Sequence, residues 1–379
     1  MERPKKICFI TGTRADYGIL SRLMKAVQDS PKAELQIIAT NMHLSPAFGM
    51  TVNEIEKDGF KVDAKIESLL ASDTPSAIVK SMGLTQIGIA DAFERLKPDL
   101  AVILGDRYEM LAVASAALIF RIPIAHLHGG ETTEGAFDNQ IRHAITKLST
   151  LHFPATEEYA KKIIGMGEPA ERVIMAGALG VEDIPDFKIM ELEELEKDIN
   201  FSLSPRFIIV AFHPATADNG EPGKQTAELI EALKHFITKG YKILITMPNS
   251  DTGSSAISKL FHEFEKNNPK KIKTVKSLGR TKFFTALSYA SAIVGNSSSA
   301  LIEAPSFHLP AVNIGSRQKG RTKGPTIIDC PPKAREIVQA LEKVLDPDFK
   351  TNLSDKSIET LNPYYHKGTL ETILKRITE

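Results

Sequence analysis

The chain has 379 residues, 42% of them apolar and 25% charged, with 47 basic side chains balancing 47 acidic ones. That length is more than one hydrophobic core normally serves and implies two domains, while zero net charge removes the electrostatic case for nucleic acid or an anionic membrane as partner. Cys8 and Cys330 lie far apart and outside any CxxC pair, which argues for a reducing compartment rather than a disulfide framework. No apolar run approaches the ~18 residues of a membrane span, so a cytoplasmic location is expected.

In chain order, short β-branched runs alternate with helical patterns. KKICFITGT (5–13) reads as a strand ending in a glycine turn, with the helical SRLMKAVQD behind it. ELQIIATN (34–41), PDLAVILGD (98–106), PIAHLHGG (123–130), TLHFPAT (150–156) and RVIMAG (172–177) continue the strand series, and YEMLAVASAALIF (108–120) is the plainest helix between them. Continuous apolar strands separated by helices predict a parallel sheet covered on both faces. The acidic stretch 180–205 carries no strand signal and reads as a linker helix. A second series then follows: RFIIVAFHP (206–214), KILITMPN (242–249), KIKTVKSLG (271–279), SAIVGNSSS (291–299), PAVNIGSR (310–317) and GPTIIDC (324–330). The expectation is an α/β chain of two doubly wound domains, 1–180 and 206–362, joined by a linker at 181–205. A tail helix at 363–379 is expected to cross back to the first domain.

Ligands of such sheets bind outside the carboxyl ends of the strands, near the switch point of the strand order. The polar residues just after each strand are therefore the candidates. In GNSSSALIEAP, Asn296, Ser297 and Ser298 fall at a helix start, where free backbone N–H groups suit phosphate; the alternative is simple capping. Glu303, placed two turns into that helix, is either solvated or a ribose ligand. Gly12 makes the first turn and Arg14 follows it; Asp106 and Arg107 follow the buried strand LAVIL, where an acid caps the next helix or does chemistry. His213 and Asn249 close two strands of the second series.

HLHGGETTEGAFDNQIRH (126–143) is the densest polar stretch. His126 and His128, two apart on a strand, point the same way, which would allow two metal ligands with Glu131 as a third; a metal is the less favoured reading. Asp138 and Arg142, four apart on a helix, meet on one face. That is either a structural pair or a carboxylate held for general-base work. The residues alone suit a nucleotide-sugar enzyme without naming its reaction.

The ordered set TRADYG, LGDR, HLHGGE, DNQIRHAITK, AFHP, MPN, GNSSSALIEAP and NIGSRQKGR resembles the UDP-N-acetylglucosamine 2-epimerase family, and most of all its hydrolysing branch, over roughly residues 6 to 323. The resemblance implies a glycosyltransferase-B-type arrangement, two Rossmann-like domains about an interdomain cleft. It implies elimination of UDP from UDP-N-acetylglucosamine to a 2-acetamidoglucal, then hydration to N-acetylmannosamine for sialic-type sugars, with no cofactor and no obligatory metal. Substrate and partner are then a UDP-sugar and UDP, and a homodimer or homotetramer is expected. Carried over by motif, Asp106, Glu131 and Asp138 are catalytic acids and His213 steadies the departing diphosphate. Arg14, Asp16, Arg107, His128, Asn249, Arg280, Ser297, Ser298 and Arg317 become substrate-binding residues, and Glu303 the ribose acid.

One departure stands out. The animal-type hydrolysing motif is HxEGG, whereas His128 occupies the acid's place here, and the spacing from Glu131 to Asp138 is one residue longer. Either the acid role moves to Glu131, or the substrate is the related UDP-2,4-diacetamido-2,4,6-trideoxyglucose of legionaminic acid synthesis. A glycosyltransferase of the same architecture and a non-catalytic nucleotide-sugar sensor are the more distant readings.

Overall fold

The computed structural model describes residues 3–133, 137–215, 221–248 and 253–379. It divides into two compact units: Met1–Glu131 with Asp138–Glu182 and His366–Glu379, and Thr132–Phe137 with Asp183–Tyr365.

Unit 1 is built on the strands Lys5–Thr11 (β1), Ala33–Thr40 (β2), Ala64–Ile66 (β3), Leu100–Leu104 (β4), Ile124–Leu127 (β5) and Leu151–Phe153 (β6), all parallel, in the spatial order β3-β2-β1-β4-β5-β6. The alternation of side chains along β1 shows why the strands are apolar throughout. Ile7 and Phe9 enter one core with Leu20, Leu23 and Val27 of the helix Arg14–Gln28. Cys8 and Ile10 enter a second core, on the opposite face, with Phe93, Val113 and Ala117 from the helices Pro75–Leu96 and Tyr108–Ile119. A strand covered on both faces has no polar side to show, and each such side chain stabilises the fold by about 1.5–3 kcal/mol.

Unit 2 repeats the plan with Phe207–Ala211 (β7), Lys242–Thr246 (β8), Ile272–Val275 (β9), Ala292–Gly295 (β10), Ala311–Ile314 (β11) and Ile327–Cys330 (β12), again all parallel. Its order, β12-β11-β10-β7-β8-β9, is the same winding as unit 1 read from the other edge. Both units therefore carry the Rossmann strand order. The chain reverses direction across the sheet between β1 and β4 in one unit and between β7 and β10 in the other, and these are the switch points where ligands bind.

Three local expectations change. RVIMAG is not a strand: Val173 makes a single bridge to His152, and Ile174 and Ala176 donate to the carbonyls of His152 and Pro154. Pro154 has no N–H to return, so the ladder cannot extend. The short β3 lies in AKIES, whose alternating exposure hid it. Within 180–205 only Leu192–Ile199 is an α-helix, preceded by the 3-10 turn Ile184–Asp186. Among the described residues no helix is long and apolar enough to cross a membrane.

Candidate functional site

At the switch point of unit 1, β1 runs into a turn at Gly12. Thr13 then caps the next helix in a reciprocal box, its Oγ1 accepting from Asp16 N while Asp16 accepts from Thr13 N at 3.1 Å. Burial pushes the Asp16 carboxyl up to about 6; the Arg107 guanidinium opposes that shift and the Glu109 carboxylate adds to it. Arg14 leaves the same turn and pairs with Glu54. Beside it, at the end of β2, buried His43 is held between the Thr11 and Thr51 hydroxyls at 2.9 and 2.8 Å, and burial lowers it to about 4.

The ends of β4 and β5 hold one buried ion network. Arg142, from the helix Asp138–Leu148, is 2% exposed and bonds Asp106. It also pairs with Glu131 at 3.0 Å and donates to the His128 carbonyl at 2.9 Å. Glu131 in turn meets His128 Nδ1 at 2.7 Å. Asp106, His128, Glu131 and Arg142 thus converge from three separate stretches of chain, while Asp138 opens the helix that supplies Arg142. The Arg142 guanidinium thus turns inward to the strand ends, a reach that its i,i+4 spacing from Asp138 does not announce.

The histidine pair is corrected as well. His126 is on β5, its Nε2 against the Gly105 carbonyl at 2.7 Å and its Nδ1 near the Thr146 hydroxyl at 3.3 Å, and burial lowers it to about 3. His128 lies past the strand with φ of 61°, so the two side chains leave the strand in different settings. Among the described residues no three His, Cys, Asp or Glu side chains are grouped to hold a metal ion.

In unit 2, the ends of β7 and β10 are tied by Asn296. Its Oδ1 accepts from His213 N at 2.7 Å and its Nδ2 donates to the His213 carbonyl at 2.8 Å. Gly295 permits this approach: with φ of 146° it lies against the Ala211 carbonyl, where any Cβ would overlap. Ser297 and Ser298 follow directly, with Ser297 Oγ accepting from Ser299 N at 3.3 Å. The Asn296 carbonyl takes bonds from Arg317 Nη1 and Gln318 Nε2 at 3.0 and 2.8 Å, bringing NIGSRQ to the same edge. The helix after the serines is only Ser299–Ile302, and Glu303 ends it instead of lying two turns inside. Arg280 is placed elsewhere, at the helix that follows β9, two strands from the switch. It is clamped to Asp183 and packs against Phe187 and Phe284, with its guanidinium 4.9 and 4.6 Å from the ring centres. Asn249 lies outside the described residues.

Three contributors escaped the sequence reading. His43 carries no motif, and Gln318 lies within NIGSRQKGR, where Arg317 drew the attention. Glu109 looks like an ordinary first-turn acid, and its one signal is a lone charge in the apolar helix YEMLAVASAALIF.

Two parallel sheets of identical winding, each with polar groups gathered at its switch point, define a doubly wound α/β protein of two Rossmann-like units. The chain belongs to the UDP-N-acetylglucosamine 2-epimerase family, whose model matches residues 25–378. It is 39% identical to a Campylobacter jejuni protein named GDP/UDP-N,N'-diacetylbacillosamine 2-epimerase (hydrolyzing), over 98% of this chain and 96% of that one. It is 36% identical to a Legionella pneumophila protein named UDP-N,N'-diacetylbacillosamine 2-epimerase (hydrolyzing), over 90% and 89%. With the Escherichia coli polysialic acid biosynthesis protein P7 it shares 35% identity over 99% and 94%. Among solved structures, a Neisseria meningitidis UDP-GlcNAc 2-epimerase bound to UDP-GlcNAc superposes with a TM-score of 0.80 at 17% identity, covering 98% of this chain and 99% of that one.

Proposed function

We propose that the protein is a hydrolysing nucleotide-sugar 2-epimerase whose substrate is UDP-N,N'-diacetylbacillosamine, that is, UDP-2,4-diacetamido-2,4,6-trideoxyglucose. The products are UDP and the free 2-epimeric sugar. A base takes the C2 proton as the C1–O bond to UDP breaks, leaving a C1–C2 double bond. Water then adds hydroxide at C1 and a proton at C2 on the opposite face. The chemistry asks for carboxylates about the sugar and donors on the diphosphate.

The observation that carries this reading is the network in which one buried guanidinium holds both Asp106 and Glu131 at the ends of β4 and β5. With Asp138 these are the acids of the elimination and hydration. His128 stands where the animal-type motif has an acid, and its bond to Glu131 supports Glu131 taking over that acid's work. His213, Arg14, Arg107, Ser297 and Ser298 bind the diphosphate, Asp16 and Arg317 are further substrate-binding residues, and Glu303 holds the ribose. Arg280 stays in the substrate-binding set, its guanidinium held by Asp183.

The diacetamido sugar is preferred to UDP-N-acetylglucosamine because the relatives at 39% and 36% identity carry N,N'-diacetylbacillosamine in their names, the first as a GDP/UDP sugar and the second as a UDP sugar. The name of the polysialic acid relative keeps UDP-N-acetylglucosamine, with N-acetylmannosamine as product, as the second reading. The test incubates the enzyme with each UDP-sugar in D2O, without acceptor, and follows the products by NMR. Deuterium at C2 of the released epimer, with faster turnover of the diacetamido substrate, is expected. Faster turnover of UDP-N-acetylglucosamine transfers the assignment to the second reading, and release of UDP without deuterium at C2 refutes both.

A further inference from the structure

Glu109 lies in the first turn of Tyr108–Ile119, where an acid ordinarily faces water and complements the helix dipole. Here it is wholly buried. Its Oε1 accepts from Arg107 Nε at 2.7 Å, and its Oε2, also buried, has no hydrogen-bond partner among the described residues. The carboxylate lies flat against the turn after β1, since any Cβ on Gly12 would overlap Oε1. It therefore sits between β1 and β4, at the switch point of unit 1, with Asp16 feeling both its charge and that of Arg107.

A buried carboxylate with one oxygen unmatched is costly to the fold. Repulsion of Asp16 adds to that cost, and nothing in the packing of an apolar helix demands it. What the placement achieves is control of Arg107. A guanidinium gripped at Nε keeps its plane fixed, and the planar fork is what matches a phosphate.

We propose that Glu109 is a positioning residue: its buried bond to Arg107 Nε aims the guanidinium at the substrate diphosphate, and Oε2 is the acceptor that completes a side-on fork with Arg107 once the diphosphate is bound. This rests on the reading of a UDP-sugar as substrate. Glu109 acts through Arg107 and touches neither sugar nor phosphate.

The experiment titrates UDP alone into wild type, E109Q, E109D, R107A and the E109Q/R107A double variant by calorimetry, with kcat and KM measured alongside. E109Q keeps the shape and removes the charge. It is expected to weaken UDP binding and raise KM about tenfold, the loss of one charge-assisted bond, with kcat within about threefold of wild type. E109D, which keeps the charge on a shorter arm, should fall between wild type and E109Q, and a melting curve of each variant separates a folding defect from lost binding. In the R107A background E109Q should add less than about twofold, because its route to the ligand is already gone. Wild-type UDP affinity in E109Q and E109D, or effects of E109Q and R107A that multiply, would overturn the role of Glu109 alone. A wild type that does not bind UDP would overturn the substrate reading and the role together.

Discussion

Arg142 shows what motif reading sees and what it misses. Its residue type and its place in DNQIRH were visible, but Asp106 stands 36 residues away and nothing in local spacing joins them. Sequence periodicity reports neighbours on one helix and is blind to what a buried side chain meets across a sheet edge. Removing the guanidinium leaves two carboxylates at the His128 turn without their cation, and breaking a buried pair in this way costs about 3–5 kcal/mol. Arg142→Ala should lose that much in urea unfolding, with turnover abolished in whatever fraction folds. A variant of wild-type stability would show that the network is ornamental to the fold. Asp16 gives a different kind of prediction. Its folded value of about 6 lies above the ordinary 3.8, so its protonated form favours the native state. The stability it contributes is full below about pH 4 and is lost as pH rises through 6. Asp16→Asn keeps an acceptor for the cap and cannot ionise. The wild-type advantage over Asp16→Asn should therefore shrink by about 1–2 kcal/mol between pH 4 and 7.5, a figure trimmed for the partial exposure of this side chain. Unfolding curves of both proteins at the two pH values measure it, and an unchanged difference would place the Asp16 carboxyl in ordinary solvent.

At the scale of elements, eleven of the twelve strands among the described residues announce themselves as apolar or β-branched runs bounded by turn signals, because a parallel sheet covered on both faces leaves little polar side to show. The failures have local causes. Ala64–Ile66 is three residues at the sheet edge with Lys65 exposed, too short and too polar for any period to show. RVIMAG has strand composition but runs beside Pro154, which cannot complete the ladder. Ser299–Ile302 is one turn where the sequence suggests a longer helix, because Pro305 follows closely. The tightest requirement at this scale is the junction of β7 and β10. Gly295 pairs with Ala211 in the parallel register and adopts a backbone angle closed to side chains. Gly295→Ala should cost at least about 1–3 kcal/mol in backbone strain alone. It should also displace Asn296 and Ser297 enough to weaken UDP binding, which calorimetry would detect; UDP affinity equal to wild type would show that this edge does not hold the nucleotide.

Across the whole molecule, the order of the chain and the order of the structure part company at the end. The last helix, Thr369–Thr378, belongs to unit 1, although unit 2 precedes it in sequence. Ile373 and Ile377 are buried in the core with Leu20, Leu23 and Met24 of the helix Arg14–Gln28. The backbone N–H groups of Gly368 and Leu370 donate to the Glu182 carboxylate at 2.9 and 3.1 Å. A first unit that needs Thr369–Thr378 cannot finish folding before unit 2 has been synthesised, although N-terminal domains usually form as units. Two fully buried isoleucines are worth about 3–6 kcal/mol, comparable with the entire stability of a small domain at about 5–15 kcal/mol. Unit 2 has its own core, from Ile208 through Val344, and uses no residue of the tail. Ending the chain at Tyr365 should therefore split thermal unfolding into two transitions, with unit 1 melting first and the turn at Gly12 becoming sensitive to protease while the β7–β10 junction stays protected. Limited proteolysis followed by mass mapping reads this directly. One transition at the wild-type temperature would mean that the tail helix merely rests on unit 1, and that the apolar face of Arg14–Gln28 is held by the sheet alone.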